Sequence, residues 1–142
     1  MPYSGKAEIL PIQSCDIGQY QKIAVPFIQS ALEYTDGEST LKDTLDGIAT
    51  QKKQLWLIKA GDEFIGGVVT QIYTTDSGMK IGEVTLAAGR NYPLWNHFTD
   101  VVGVWFKEMG CACVQVIGRP GWAKRLQGNG FNQRYTVLRK GL

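Results

Sequence analysis

The chain switches between two hydrophobic periods. Ala7–Pro11 sets Glu8 and Leu10 against Ile9. Leu55–Ile58 and Phe64–Thr74 are apolar runs flanking the turn Gly61-Asp62-Glu63, and Ile81–Ala88 and Cys113–Ile117 are further short apolar runs rich in β-branched residues. All five read as strands, the second and third as an antiparallel hairpin. Gly66 and Gly67, inside the longest run, predict a bulge or a close backbone approach.

Between the strands the period becomes helical. A helix is expected from a cap at Ser14 or Asp16 to about Tyr34, with Ile23, Phe27, Ile28 and Ala31 on one face and Pro26 kinking or splitting it. Ser39 or Thr40 caps a second helix with Leu41, Leu45 and Ile48 on one stripe. Steps of about 100° from Leu94 place Leu94, Phe98, Val101, Val102, Trp105 and Met109 together, with Asn96, Thr99, Gly103 and Lys107 opposite. A helix Leu94–Met109 is therefore predicted after a turn at Gly89–Pro93, capped by Asn91 and Pro93 and stopped at Gly110. A short helix falls within Gly118–Phe131. Gln133–Arg139, where Tyr135 and Val137 alternate with Thr136 and Leu138, predicts a last strand that closes the sheet.

The order β-α-α-β-β-β-α-β-α-β predicts one α/β domain over residues 1–142, with a mixed central sheet and helices on both faces. The strand-helix-strand unit from Gly82 to Ile117 implies a right-handed parallel crossover. A length of 142 residues, 44% of them hydrophobic, suits one such domain.

Charge changes the picture more than composition does. The formal net charge is only +2, yet no Asp or Glu follows Glu108, whereas Arg119, Lys124, Arg125, Arg134, Arg139 and Lys140 all fall in the last quarter. Either an anionic ligand or surface meets this part, or it is a solvated basic face. Three cysteines, an odd number, with Cys111 and Cys113 on one face of a strand, make no disulfide framework and fit a reducing compartment. One His and no CxxC pair argue against a zinc site. No signal peptide and no apolar run of ~18 residues is legible, so a cytoplasmic protein with no membrane partner is expected.

Across nearly its whole length this element order resembles the GNAT superfamily of acyl-CoA-dependent N-acyltransferases, with one C-terminal strand fewer than the fullest form. The resemblance implies that the fourth strand splays from the fifth and that the pantetheine of acetyl-CoA lies in the gap, held by backbone groups of Leu86, Ala87 and Ala88. It implies a pyrophosphate site at the start of the following helix, where the family carries Gln/Arg-x-x-Gly-x-Gly/Ala. The matching stretch is Arg90-Asn91-Tyr92-Pro93-Leu94-Trp95, so Arg90 with Asn91 is expected to hold the phosphates. Pro93 removes a donor, and Trp95 either puts an indole where bare backbone is wanted or packs in the core or an interface.

By the same resemblance Glu83, on the fourth strand, is the expected general base, its alternative being a solvent-facing strand residue. The family's tyrosine acid falls at Leu126, which leaves Tyr135, or Tyr92, as the substitute. Trp122 either lines the cofactor groove or anchors the last helix. His97, at the edge of the apolar stripe, reads as structural. The acceptor would be a small-molecule amine or a protein, met by the first two helices and their loop. The acidic residues Glu33–Glu38 suit a cationic substrate or a solvated loop.

Gly121-Trp122 opening the last helix and Gly130-Phe131 following it resemble the ending of small GNAT-like proteins encoded by tailed phages. That likeness implies a second reading, a non-catalytic protein in virion structure or assembly, or a binder of a host protein; separately, the exposed aromatics would suit a homo-oligomer. Basic and aromatic residues interleave in the tail, but no nucleic-acid motif accompanies them, so nucleic acid is not the favoured partner.

Overall fold

A computed structural model describes residues 5–35 and 37–142. Its sheet has five strands in the order β1 (Glu8–Ile12), β2 (Lys53–Ala60), β3 (Glu63–Thr74), β4 (Lys80–Gly89) and β5 (Cys113–Val116). The first three pairings are antiparallel and only β4 with β5 is parallel.

Alternation along the strands divides the core between the two faces. Leu55, Leu57, Val69 and Leu86 pack with Ala24, Ile28 and Ala31 of α1 (Ile17–Leu32) and Ile48 of α2 (Leu41–Ala49). Trp56, Ile58, Val68 and Val84 pack on the other face with Phe98, Val102 and Phe106 of α3 (Phe98–Glu108) and with Trp122 and Leu126 of α4 (Pro120–Leu126). The α/β class with helices on both faces is the one expected. Asp36, within the expected acidic loop, and residues 1–4 lie outside the described residues.

Local chemistry explains the elements. Thr40 caps α2, its hydroxyl accepting from the Asp43 amide at 3.1 Å. Gly110, at φ 86°, stops α3. α1 is not split at Pro26, whose ring lies on the exposed side. The bulge expected near Gly66 is present: Ile58 faces Gly66 and Lys59 faces Phe64, leaving Ile65 as the extra residue. The approach there is close, since a Cβ on Gly66 would lie 2.8 Å from the Ala88 carbonyl oxygen.

Three expectations are corrected. α3 begins at Phe98 rather than Leu94, because Asn91 takes a left-handed conformation and Tyr92–Leu94 forms a single 3-10 turn. The carbonyls of Pro93 and Leu94, which a continuous helix would use internally, accept from Lys6 Nζ and the Ala7 amide, each at 2.8 Å.

The buried stripe shifts with that start. Phe106 and Thr99 are buried and Met109 is exposed. Phe98, Val102 and Phe106, spaced four apart, are essentially fully buried, and each contributes about 1.5–3 kcal/mol.

Finally, Gln133–Arg139 forms no strand. Gly130 turns the chain in a left-handed conformation, and Tyr135, Val137 and Leu138 stand in solvent while Arg139 pairs with Glu38 beyond α1. The sheet closes at β5. No helix among the described residues is long and apolar enough to cross a membrane.

Gly82 is the tightest point between sheet and helix, for a Cβ there would sit 2.3 Å from the Phe106 ring. Gly82→Ala is expected to lower stability by about 1–3 kcal/mol. Gly18→Ala, in open space on α1, should be neutral or stabilising by up to about 1 kcal/mol. Thermal denaturation of the two variants checks this, and equal melting temperatures would refute it.

Candidate active site

β4 and β5 run side by side only from Ile81 with Cys113 to Val84 with Val116. The next residue on β4 is a bulge. Val69 faces Leu86 and Thr70 faces Val84, so Thr85 has no opposite residue on β3, and its hydroxyl donates to the Val69 carbonyl at 3.1 Å. A bulge bends its strand and increases the local twist. β4 continues along β3 to Gly89 while β5 ends at Val116. Beyond Val84, β4 therefore has a strand on one side only.

The parting strands enclose a cleft of about 180 Å³. Its walls are Val84–Gly89 of β4, Ala31, Tyr34 and Thr35 at the end of α1, the chain from Val116 to Arg119, and Trp95, Trp122 and Arg125. Leu86, Ala87 and Ala88 all line it, as their expected role requires. A strand edge facing a cleft presents backbone N–H and C=O groups in a row to any extended ligand. Among the described residues no Asp or Glu lines the cleft, whereas two arginines do. A larger hollow of about 400 Å³ between α1 and α2 is open to solvent, and its only charged side chains are the exposed Lys42–Asp46 pair, which stabilises little.

Glu83 stands one residue before the cleft wall, 8% exposed. It is not a solvent-facing edge residue. Gln71 of β3 donates to its Oε1 at 3.0 Å, and Gln115 of β5 donates to its Oε2 at 2.7 Å. Gln115 Nε2 also donates to the Tyr73 hydroxyl at 3.1 Å. A carboxylate buried without a cation is thus held by two neutral amides, each on a flanking strand. Sequence reasoning missed Gln71, Gln115 and Tyr73. The available signal was a glutamine inside the apolar run Cys113-Val-Gln-Val116.

The loop after β4 is closed on itself. Arg90 does not turn toward the cleft; its guanidinium pairs with Glu63 and donates to the Phe64 carbonyl at 3.3 Å. Asn91 is exposed and does not line the cleft. Trp95 is a core residue, 1% exposed, whose indole N–H donates to the Arg90 carbonyl at 3.0 Å. Its ring packs with Tyr92, Phe98 and Trp122 at centroid distances of 4.7–6.4 Å. Trp122 does both things expected of it, anchoring α4 in this aromatic cluster and lining the cleft.

Arg125 lies over the rings of Tyr92 and Trp122, at 4.6 and 5.1 Å. Arg119 lies 3.8 Å over the ring of Tyr34. Tyr135 is 83% exposed and lines no part of the cleft, so this geometry does not bring it to the reacting region. His97 immediately precedes α3, where its carbonyl accepts from the Asp100 amide at 3.0 Å, a structural position. Among the described residues no group of three His, Cys, Asp or Glu side chains is placed to hold a metal ion.

No family model and no curated protein matches the sequence. Solved structures do match the fold. An aminoglycoside acetyltransferase, meta-AAC0020, from an uncultured soil metagenomic sample has a TM-score of 0.70 at 8% identity, covering 96% of both chains, in complex with trehalose. It has also been solved with sisomicin. The ribosomal-protein-alanine N-acetyltransferase of Brucella melitensis biovar Abortus 2308 gives 0.65 at 12% identity, over 95% of this chain and 99% of that one. Aminoglycoside N-acetyltransferase AAC(6')-Iy in complex with CoA gives 0.65 at 12% identity, over 100% and 98%. The chain has the fold of the GNAT acetyltransferases.

Burial pushes the Tyr92 phenol above its ordinary 10.0, and the neighbouring Arg125 offsets only part of that. The unfolded chain then releases this proton first, so stability falls as pH climbs from about 10 through the higher folded value. The buried Tyr92 hydroxyl also has no hydrogen-bond partner among the described residues. Tyr92→Phe is expected to be neutral or stabilising at pH 7 and to flatten the loss of stability above pH ~10. Urea unfolding at pH 7 and 10.5 checks both; a destabilised variant with an unchanged alkaline limb would refute them.

Proposed function

We propose that the protein is an N-acyltransferase that uses acetyl-CoA and a primary amine. The observation that carries this reading is the unpaired edge of β4 at Leu86–Ala88, facing a cleft lined by two arginines and by no acidic side chain among the described residues. The shared fold supports it, as does the CoA complex of AAC(6')-Iy.

The residues present fit such a ligand. Its pantetheine amides match a strand edge, and its phosphates meet two arginines and no carboxylate of the described residues in the cleft. When bound, acetyl-CoA supplies an acetyl group activated as a thioester. Leu86–Ala88 orient the pantetheine along β4, while Trp95 and Trp122 wall off water on one side. Glu83, fixed by Gln71 and Gln115, would accept the proton of the attacking amine directly or through one water as the C–N bond forms and the thioester C–S bond breaks, with a proton returning from solvent to the departing thiolate. Gln115 donates to the Tyr73 hydroxyl as well as to Glu83, so its amide is held from two sides and keeps the carboxylate in place. The acceptor meets the α1–α2 side; Glu33 there suits a cationic small-molecule amine or a lysine-bearing protein, while Glu38 pairs with Arg139.

One observation favours the non-catalytic alternative, a phage virion or assembly protein or a binder of a host protein: the β4–α3 loop is occluded by Pro93 and Trp95. The same experiment separates the two. Isothermal titration with acetyl-CoA is expected to show micromolar binding, and thiol release with a panel of amines to show turnover. Glu83→Gln should keep the binding and lower kcat about 100-fold or more. Absence of binding at millimolar acetyl-CoA would overturn the enzyme reading, and unchanged kcat in Glu83→Gln would remove Glu83 as the base.

A further inference from the structure

Resting on the acyl-CoA reading, we propose that the phosphates of the ligand are held by Arg119 and Arg125, at the mouth of the cleft, and not by the loop between β4 and α3. Part of what the loop could offer is already engaged. The amides of Arg90, Leu94, Trp95 and Phe98 already donate to the carbonyls of Ile65, Asn91, Tyr92 and Trp95, at 2.8–3.0 Å, and Pro93 has no N–H. The Arg90 guanidinium is engaged by Glu63. A phosphate settling there would find these four amides and the Arg90 guanidinium taken, and the indole of Trp95 is buried beside them.

The opposite wall has the complementary chemistry. Arg119 and Arg125 line the cleft with no acidic side chain among the lining residues. Their only interactions among the described residues that involve the guanidinium are with aromatic faces: Tyr34 for Arg119, Tyr92 and Trp122 for Arg125. Stacking on a ring uses the flat face of a guanidinium and leaves its in-plane N–H groups available, the geometry that binds phosphate with two parallel hydrogen bonds. The rings also restrict the two long side chains before any ligand arrives, so less rotamer freedom is lost on binding. Arg119 follows β5 and Tyr34 follows α1, so their contact bridges the cleft mouth. Among the described residues no carboxylate competes with an entering phosphate for Arg119.

The test compares three probes by isothermal titration: CoA, adenosine 3',5'-bisphosphate, which has phosphates and no pantetheine, and pantetheine, which has no phosphates. Arg119→Ala and Arg125→Ala should each weaken CoA and the bisphosphate about tenfold or more, leave pantetheine unchanged and reduce the salt dependence of CoA binding. Arg119→Lys should recover part of the loss, and Arg90→Ala should bind all three as the parent does. Circular dichroism melting of each variant confirms that it is folded.

Loss of CoA binding in Arg90→Ala with none in the α4 variants would overturn the assignment and return the phosphates to the loop. Binding of pantetheine without the bisphosphate would overturn it while leaving the acyl-CoA reading intact. Binding of the bisphosphate without pantetheine or acetyl transfer would support the anion site and overturn the acyl-CoA reading. Failure of all three probes would overturn both.

Discussion

Beyond Val84 the backbone of β4 has a strand on one side only, and this unmet hydrogen-bonding capacity organises the molecule. Buried N–H and C=O groups without partners cost about as much as lost hydrogen bonds, so the edge must meet water or a ligand. The bulge at Thr85 and the end of β5 at Val116 create that edge. The cleft, the chain that turns into α4 and the end of α1 are all arranged around it.

The aromatic residues answer a second requirement of the same opening. A sheet that parts leaves its α3 face without strand cover, and Tyr92, Trp95, Phe98 and Trp122 fill the space with rings 4.7–6.5 Å apart. Offset and edge-to-face rings of this kind add to area burial. The cluster gives the cleft a rigid floor and also occupies the place where a helix start would otherwise offer bare backbone to an anion. At the β4–α3 loop the residues present thus serve packing on this side of the molecule.

The fold was legible because its main signals are local and periodic. Five strands, the Thr40 cap, the Gly66 irregularity and the parallel crossover all followed from residue order. Leu86–Ala88 followed from family likeness. What failed was set by contacts distant in sequence. The start of α3 depends on Lys6 and Ala7, the surroundings of Glu83 on glutamines from two other strands, and the fate of Gln133–Arg139 on the lack of a neighbour beside β5. A strand-like pattern in that last segment states a propensity, and pairing requires a partner the fold does not place there. Arg90 matched a motif by position, yet Glu63 across the hairpin claimed its charge.

The link between Lys6 and the loop has a consequence for how the protein acquires its shape. Lys6 meets Pro93 and Asn96 across 87 and 90 residues of chain. Contacts of such separation form only after the intervening strands have assembled, because the loop-closure entropy must first be met. The conformation of residues 91–97 is thus a late product of folding, written by the first strand and not by the unit it joins. A β4–α3–β5 fragment excised from this protein would lack the contacts from Lys6 and Ala7 that help fix the connection between its strand and its helix.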